Sequence, residues 1–179
     1  MNNYQFDLVF RLRDVEEPEQ YLDALFNAGC DDASPSIGCK GYISLQFCRE
    51  DKNAIGAIRS AIKNVITAIP HAEIESIGPY LLNLSELAFE FEFTKQNMQK
   101  YASGNSAVTK RFPSPFLRGK ISYWRISDVA QWLKENNIKD IEEPVIEVFN
   151  VIRAFNLALE KHRSPYYDKE IKTILNQVA

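Results

Sequence analysis

Along the first eighty residues the apolar positions follow two rhythms in turn. Phe6, Leu8, Phe10 and Leu12 recur every second residue against Asp7, Val9, Arg11 and Arg13, the period of a half-buried strand. Pro18 then opens a predicted helix in which Tyr21, Leu22, Leu25 and Phe26 share one face, and Gly29 closes it. A second strand is predicted over 33–37, followed by a turn at Gly38-Cys39-Lys40-Gly41 and a third strand turning Ile43, Leu45 and Phe47 inward. Asp51 or Asn53 can cap a second helix carrying Ile55, Ile58, Ile62, Val65, Ile66 and Ile69 at helical spacing. Pro70 ends that helix, and Glu73 to Ile77 reads as a fourth strand. The order βαββαβ predicts an α+β, ferredoxin-like sandwich of four antiparallel strands with two helices on one face.

Gly78-Pro79 is a breaker pair at a change of pattern. Beyond it Ser85 is the expected N-cap of a short helix, with Leu84, Leu87, Ala88 and Phe91 as its apolar stripe. Thr94 caps a second short helix that buries Met98 and Tyr101 and turns Lys95, Gln96, Gln99 and Lys100 outward. Arg111-Phe112-Pro113-Ser114-Pro115-Phe116 is a stiff extended segment, and Leu117 to Arg125 reads as a hairpin with Gly119 at its tip. Ser127 is the expected cap of a further helix, with Asp128 in its first turn and Val129, Trp132 and Leu133 inward. Helix, turn, helix, basic hairpin, helix is the layout of a winged helix-turn-helix. Pro144 starts a long helix whose inward face carries Val145, Val148, Phe149, Ile152, Phe155 and Leu159. Ser164-Pro165 begins another, with Ile171, Ile174, Leu175 and Val178 inward. The expected organisation is a ferredoxin-like unit at 1–78, a winged unit at 79–140 and a helical hairpin at 141–179. That hairpin either caps the winged core or pairs with a second copy.

Charge sharpens this picture. The chain carries 21 basic and 24 acidic residues, yet residues 94–125 hold seven cations and no Asp or Glu. Residues 1–78 have seven cations against twelve acids, a net charge of −5. A positive window on an acidic protein is the footprint of a polyanion site, most often nucleic acid. Lys40 to Phe47 partly resembles the sheet motif of RNA-recognition domains. However, Ser44 stands where that motif stacks a base, Ile43 replaces its small residue, and the acidic segment repels phosphate. Tyr42 is therefore read as lying on an open sheet face, available to an effector, a second copy or a partner protein.

Other chemistries find little support. Met1 to Asp7 has neither a basic nor an apolar run, so no secretory signal is expected, and no apolar stretch approaches the roughly 18 residues of a membrane span. Cys30, Cys39 and Cys48 lack paired zinc spacing and suit free thiols in a reducing cytoplasm. There is no Ser/His/Asp set and no phosphate-cradling glycine loop, so neither an enzyme nor a cofactor or metal is expected.

Residues 82–135 resemble the winged DNA-binding domain of MerR-type regulators and of AlpA and excisionase-type proteins. The resemblance is carried by Leu84-Ser85-x-Leu87-Ala88, Phe93-Thr94, Lys100-Tyr101, Phe112-Pro113, Arg118-Gly119-Lys120, Tyr123-Trp124-Arg125, Ser127-Asp128-Val129 and Trp132-Leu133. Two departures mark it: Glu92 stands where these families usually have a turn glycine, and Ala102 to Lys110 lengthens the link to the wing. The resemblance implies that Lys95, Gln96 and Asn97 face base edges in the major groove, with Lys100, Lys110 and Arg111 on phosphates. Arg118, Lys120 and Arg125 would reach the backbone or adjacent minor groove from the wing. It also implies double-stranded DNA as partner and a homodimer reading two half-sites. Two other expectations stand beside this one: an antitoxin-type autoregulator whose N-terminal region binds a partner protein, and an excisionase-like architectural protein that bends DNA.

Overall fold

A computed structural model describes residues 1–13, 17–36, 38, 40–106 and 108–164 as a mixed α+β structure with two antiparallel sheets and six α-helices. β1 (Asn2–Arg11) and β3 (Tyr42–Asp51) pair over their full length, with Phe6 opposite Phe47 and Leu8 opposite Leu45. β2 (Ala33–Ser36) and β4 (Glu73–Gly78) flank them, giving the order β2-β3-β1-β4. The alternation read from the sequence sorts the two faces. Tyr4, Phe6, Leu8, Phe10, Ile43, Leu45 and Phe47 are buried, whereas Asn3, Gln5, Tyr42, Gln46 and Cys48 are exposed.

A single 3-10 turn, Pro18–Tyr21, leads into α1 (Leu22–Asn27). Leu25 is buried, but Phe26 is 66% exposed, contrary to the expected shared face. Successive helical residues are about 100° apart. A helix of six residues has too little surface to bury both. α2 (Ala54–Ala68) is capped by Asn53, whose side chain accepts from Gly56 N at 2.9 Å. Its buried face is Ala54, Ala57, Ile58, Ala61 and Val65, and Ile55 and Ile66 point outward instead of joining it. Small alanines bring this helix close to the sheet, leaving room for only the central isoleucines.

β5 (Leu81–Leu82) precedes α3 (Leu84–Glu90) and α4 (Lys95–Ser103). Asn83, not Ser85, caps α3: its side chain accepts from Ser85 N and Glu86 N, and Glu86 reciprocates onto Asn83 N at 2.8 Å. Thr94 caps α4 as expected, accepting from Asn97 N at 3.2 Å. β6 (Trp124–Arg125) pairs with β5 and runs into α5 (Ile126–Glu135). Ser127 does not cap α5, whose N-cap position is Arg125. Ser127 is buried, and its hydroxyl has no partner among the described residues.

α6 (Glu143–Arg163) joins the four-stranded sheet to α5. It packs on β1, β4 and α2 on one side and on α5 on the other. Glu147 accepts from Tyr4 Oη at 2.9 Å and from Ala54 N at 3.0 Å, so a carboxylate of α6 sits at the N-terminus of α2. Asn156, buried, pairs its side-chain amide with both Ile77 N (3.1 Å) and Ile77 O (2.7 Å), and Arg163 donates to Ile74 O and Glu75 O. The outer edge of β4 is thereby closed by side chains in place of another strand. Toward α3 and α5, Phe149 meets Phe91 edge to face at 6.4 Å, and Arg153 pairs with Asp128 at 2.6 Å. The helix expected after Ser164-Pro165, and with it the helical hairpin, lies outside the described residues.

Candidate nucleic-acid interface

The acid-free window becomes α4, the connection after it, the hairpin and β6. α3 ends with Phe93 N on Ala88 O (2.8 Å) and Glu92 N on Phe89 O (3.1 Å), a Schellman closure that puts Glu92 at φ 57°. Glycine fills that left-handed position after α1 and α4 (Gly29 and Gly104), and Asn137 fills it after α5. Glu92 serves in the same place, its carboxylate 2.6 Å from Lys139 Nζ. The turn that a glycine would normally make is therefore reached without one, and α4 leaves it with Met98 wholly buried. Tyr101 fixes the inner side, edge-on to Phe93 at 6.1 Å and to Trp132 at 5.4 Å.

With those anchors inside, Lys95, Gln96, Asn97, Gln99 and Lys100 are all exposed. Lys95, Gln96, Gln99 and Lys100, with Ser103 and Asn105, line a shallow groove of about 530 Å³. A second cleft of about 520 Å³ lies between the end of α4 and the hairpin, walled by Lys110, Arg111 and Arg118 over a floor that includes Tyr101, Phe112 and Trp124. Gln99 and Ser103 line both, so the two depressions adjoin along this side of α4. Five of the nine candidate residues, Lys95, Lys100, Lys110, Arg111 and Arg118, are the cations bordering them, and Gln96 lies beside these. Among the described residues no Asp or Glu lines either depression.

The other candidates sit elsewhere. Asn97 and Lys120 are exposed but line neither depression. Arg125 is half-buried, its guanidinium 4.0 Å above the Phe116 ring and its Nε 3.5 Å from Tyr80 Oη, which ties the base of the hairpin to the chain before β5. Among the five bordering cations Lys110 has a carboxylate neighbour, Glu135 at 3.8 Å, and both partners are exposed. Such a pair is worth about 0–1 kcal/mol and leaves Lys110 available to a stronger anion.

The hairpin is held at its base. Leu117 and Tyr123 exchange main-chain bonds at 3.2 and 2.9 Å, Trp124 Nε1 donates to Pro113 O at 2.9 Å, and Trp132 Nε1 donates to Lys110 O at 3.3 Å. Phe112 stands edge-on between the two indoles, 6.2 Å from Trp124 and 5.0 Å from Trp132. The two prolines and three aromatic rings thus give the extended segment a fixed path along the cleft. Gln99 and the hydroxyls of Ser103, Thr109 and Ser122 were not singled out by sequence reasoning as lining residues. The signal for Gln99 was its spacing of three from Gln96 on the exposed side of α4.

Among the described residues no group of three His, Cys, Asp or Glu is placed to hold a metal ion, and no helix is long and apolar enough to cross a membrane. Burial pushes the Cys30 thiol up to about 11, so it is protonated near neutrality. The chain matches none of the protein-family models, curated proteins or solved structures with which it was compared.

Proposed function

We propose that this chain is a sequence-specific DNA-binding transcription regulator, with 79–140 acting as a winged helix-turn-helix and 1–78 as a ferredoxin-like module. The observation that carries this reading is the pair of adjoining depressions bordered by Lys95, Lys100, Lys110, Arg111 and Arg118 and lined by no Asp or Glu among the described residues. A duplex presents one phosphate charge per about 1.7 Å of axis, and a continuous row of cations without carboxylates is what neutralises it. The α3–turn–α4 unit, the β5–β6 pairing and the tethered hairpin support the winged arrangement. In this reading α4 enters the major groove by its N-terminal turn and Gln96 meets a base edge, with Asn97 beside it. Lys100, Lys110 and Arg111 hold phosphates.

Reading two half-sites takes two copies, and light scattering on the DNA complex is expected to give two 20.5 kDa chains per duplex. The reading is tested by selecting duplexes from a random pool with the full chain. Enrichment of a defined sequence is expected, and Gln96→Ala should flatten the preference at one base pair, a change of about 1–3 kcal/mol in discrimination. A pool that stays random after repeated selection overturns the assignment.

A further inference from the structure

The hairpin tip reads Leu117-Arg118-Gly119-Lys120-Ile121, an aliphatic and a cation on each side of one glycine. All five residues are exposed, Leu117 by 52% and Ile121 by 57%. Arg118 and Ser122 line the cleft beside α4, whereas Leu117 and Ile121 line neither depression. The base is fixed through Trp124, Phe112 and the Leu117–Tyr123 main-chain bonds, so Leu117 stands where the loop leaves its base. Single exposed aliphatics are ordinary on a protein surface. Here two of them flank two cations on a narrow, anchored projection that borders the proposed DNA surface.

We infer that this tip enters the minor groove of the duplex and acts as a wedge. Arg118 and Lys120 lie against the phosphates bordering the groove, while Leu117 and Ile121 press on a base step, partly unstack it and bend the helix axis away from the protein. The inference rests on the DNA-binding reading above. The minor groove is about 6 Å wide, so a loop of five residues between the Leu117–Tyr123 bridge partners, with Gly119 beside its middle residue Lys120, suits it better than a helix does. Its negative potential draws in the two cations. Apolar wedges that unstack a step kink duplexes by roughly 20–90°, most easily at flexible pyrimidine–purine steps. The consequence for specificity is a preference for a TA or CA step under the hairpin at a position no side chain reads by hydrogen bonding. Charge complementarity favours a duplex over an apolar protein groove, because Arg118 and Lys120 would otherwise be desolvated without partners.

The test uses the full chain at low salt and mixed-sequence duplexes with TA steps, end-labelled for energy transfer and carrying 2-aminopurine at those steps. Wild type is expected to bind, shorten the end-to-end distance and brighten the 2-aminopurine. The double variant Leu117→Ser/Ile121→Ser should bind within about threefold of wild type, because phosphate contacts dominate affinity, but lose both signals. Its thermal melt should match wild type, since both side chains are already in solvent. Wild-type binding without bending or brightening, or full bending by the double variant, overturns the wedge while leaving DNA binding intact. Failure of wild type to bind any duplex overturns both readings. Pelleting of wild type but not the double variant with phosphatidylserine vesicles, with equal duplex signals, would reassign the tip to a membrane surface.

Discussion

Glu92 adopts a left-handed backbone at φ 57° and places its carboxylate 2.6 Å from Lys139 Nζ, and the same amine reaches Phe91 O at 3.0 Å. A residue from the chain after α5 thus holds the turn that sets the angle between α3 and α4. Non-glycine residues pay about 1–2 kcal/mol in this conformation. The exposed ion pair offsets a small part of that at low ionic strength, less when salt screens it.

Glu92→Gly should therefore be stabilising. Urea denaturation is expected to give a gain of about 1 kcal/mol in high salt, where the Lys139 pair contributes least, and a smaller gain in low salt. A loss in both would mean that the turn depends on the ion pair rather than tolerating the strain.

The closure of β4 gives a second expectation. Asn156 satisfies both main-chain groups of Ile77 and also donates to Ile152 O at 3.0 Å. Asn156→Leu leaves a buried N–H and C=O without partners, at roughly 1–3 kcal/mol each if water cannot enter. Hydrogen exchange should show Ile77 N–H losing protection while the β1–β3 amides keep theirs. Unchanged protection at Ile77 would contradict the edge assignment.

The junction between β1, α3 and α6 should be pH-sensitive. Burial raises the Asp7 carboxyl, and burial followed by the charge of Asp7 raises that of Glu90. A carboxyl raised in the folded state costs stability when ionised. The cost is absent below the unfolded value of about 4, grows as pH rises from there to the raised folded value, and is constant above it. Asp7→Asn should then raise the melting temperature near neutrality and converge on wild type near pH 4. A gain that is the same at both pH values would remove the electrostatic explanation.

How much of this could be read from the sequence depends on range. The alternation of β1 and β3, the Thr94 cap and the burial of Met98 are local patterns, and the structure carries them. β5 is two residues long, too short to show a period, and exists because β6 returns to it from 42 positions away. Phe26, Ile55 and Ile66 obeyed helical spacing but fell outside the contact faces, because spacing gives a stripe without saying how wide the neighbour is. No local pattern in the sequence distinguishes Arg49 from the other cations. It is buried, forked onto Asp32 at 2.7 Å through two nitrogens, and donates to Gly29 O. Asp32, Glu147, Asn156 and Lys139 all take partners far along the chain, and no local window contains such pairs. At the candidate site the acid-free window was legible as charge. Which cations share a surface was not, and Arg125, spent on Phe116, is the clearest instance.

The most direct measurement of the central claim is the salt dependence of duplex affinity for wild type and for single alanine variants of the full chain. If Lys95, Lys100, Lys110, Arg111 and Arg118 face one duplex together, each substitution should lower the slope of log affinity against log salt by about 0.9, while Lys134→Ala leaves it unchanged. A wild-type slope near zero, or equal slopes for the Arg118→Ala and Lys134→Ala variants, would contradict the account.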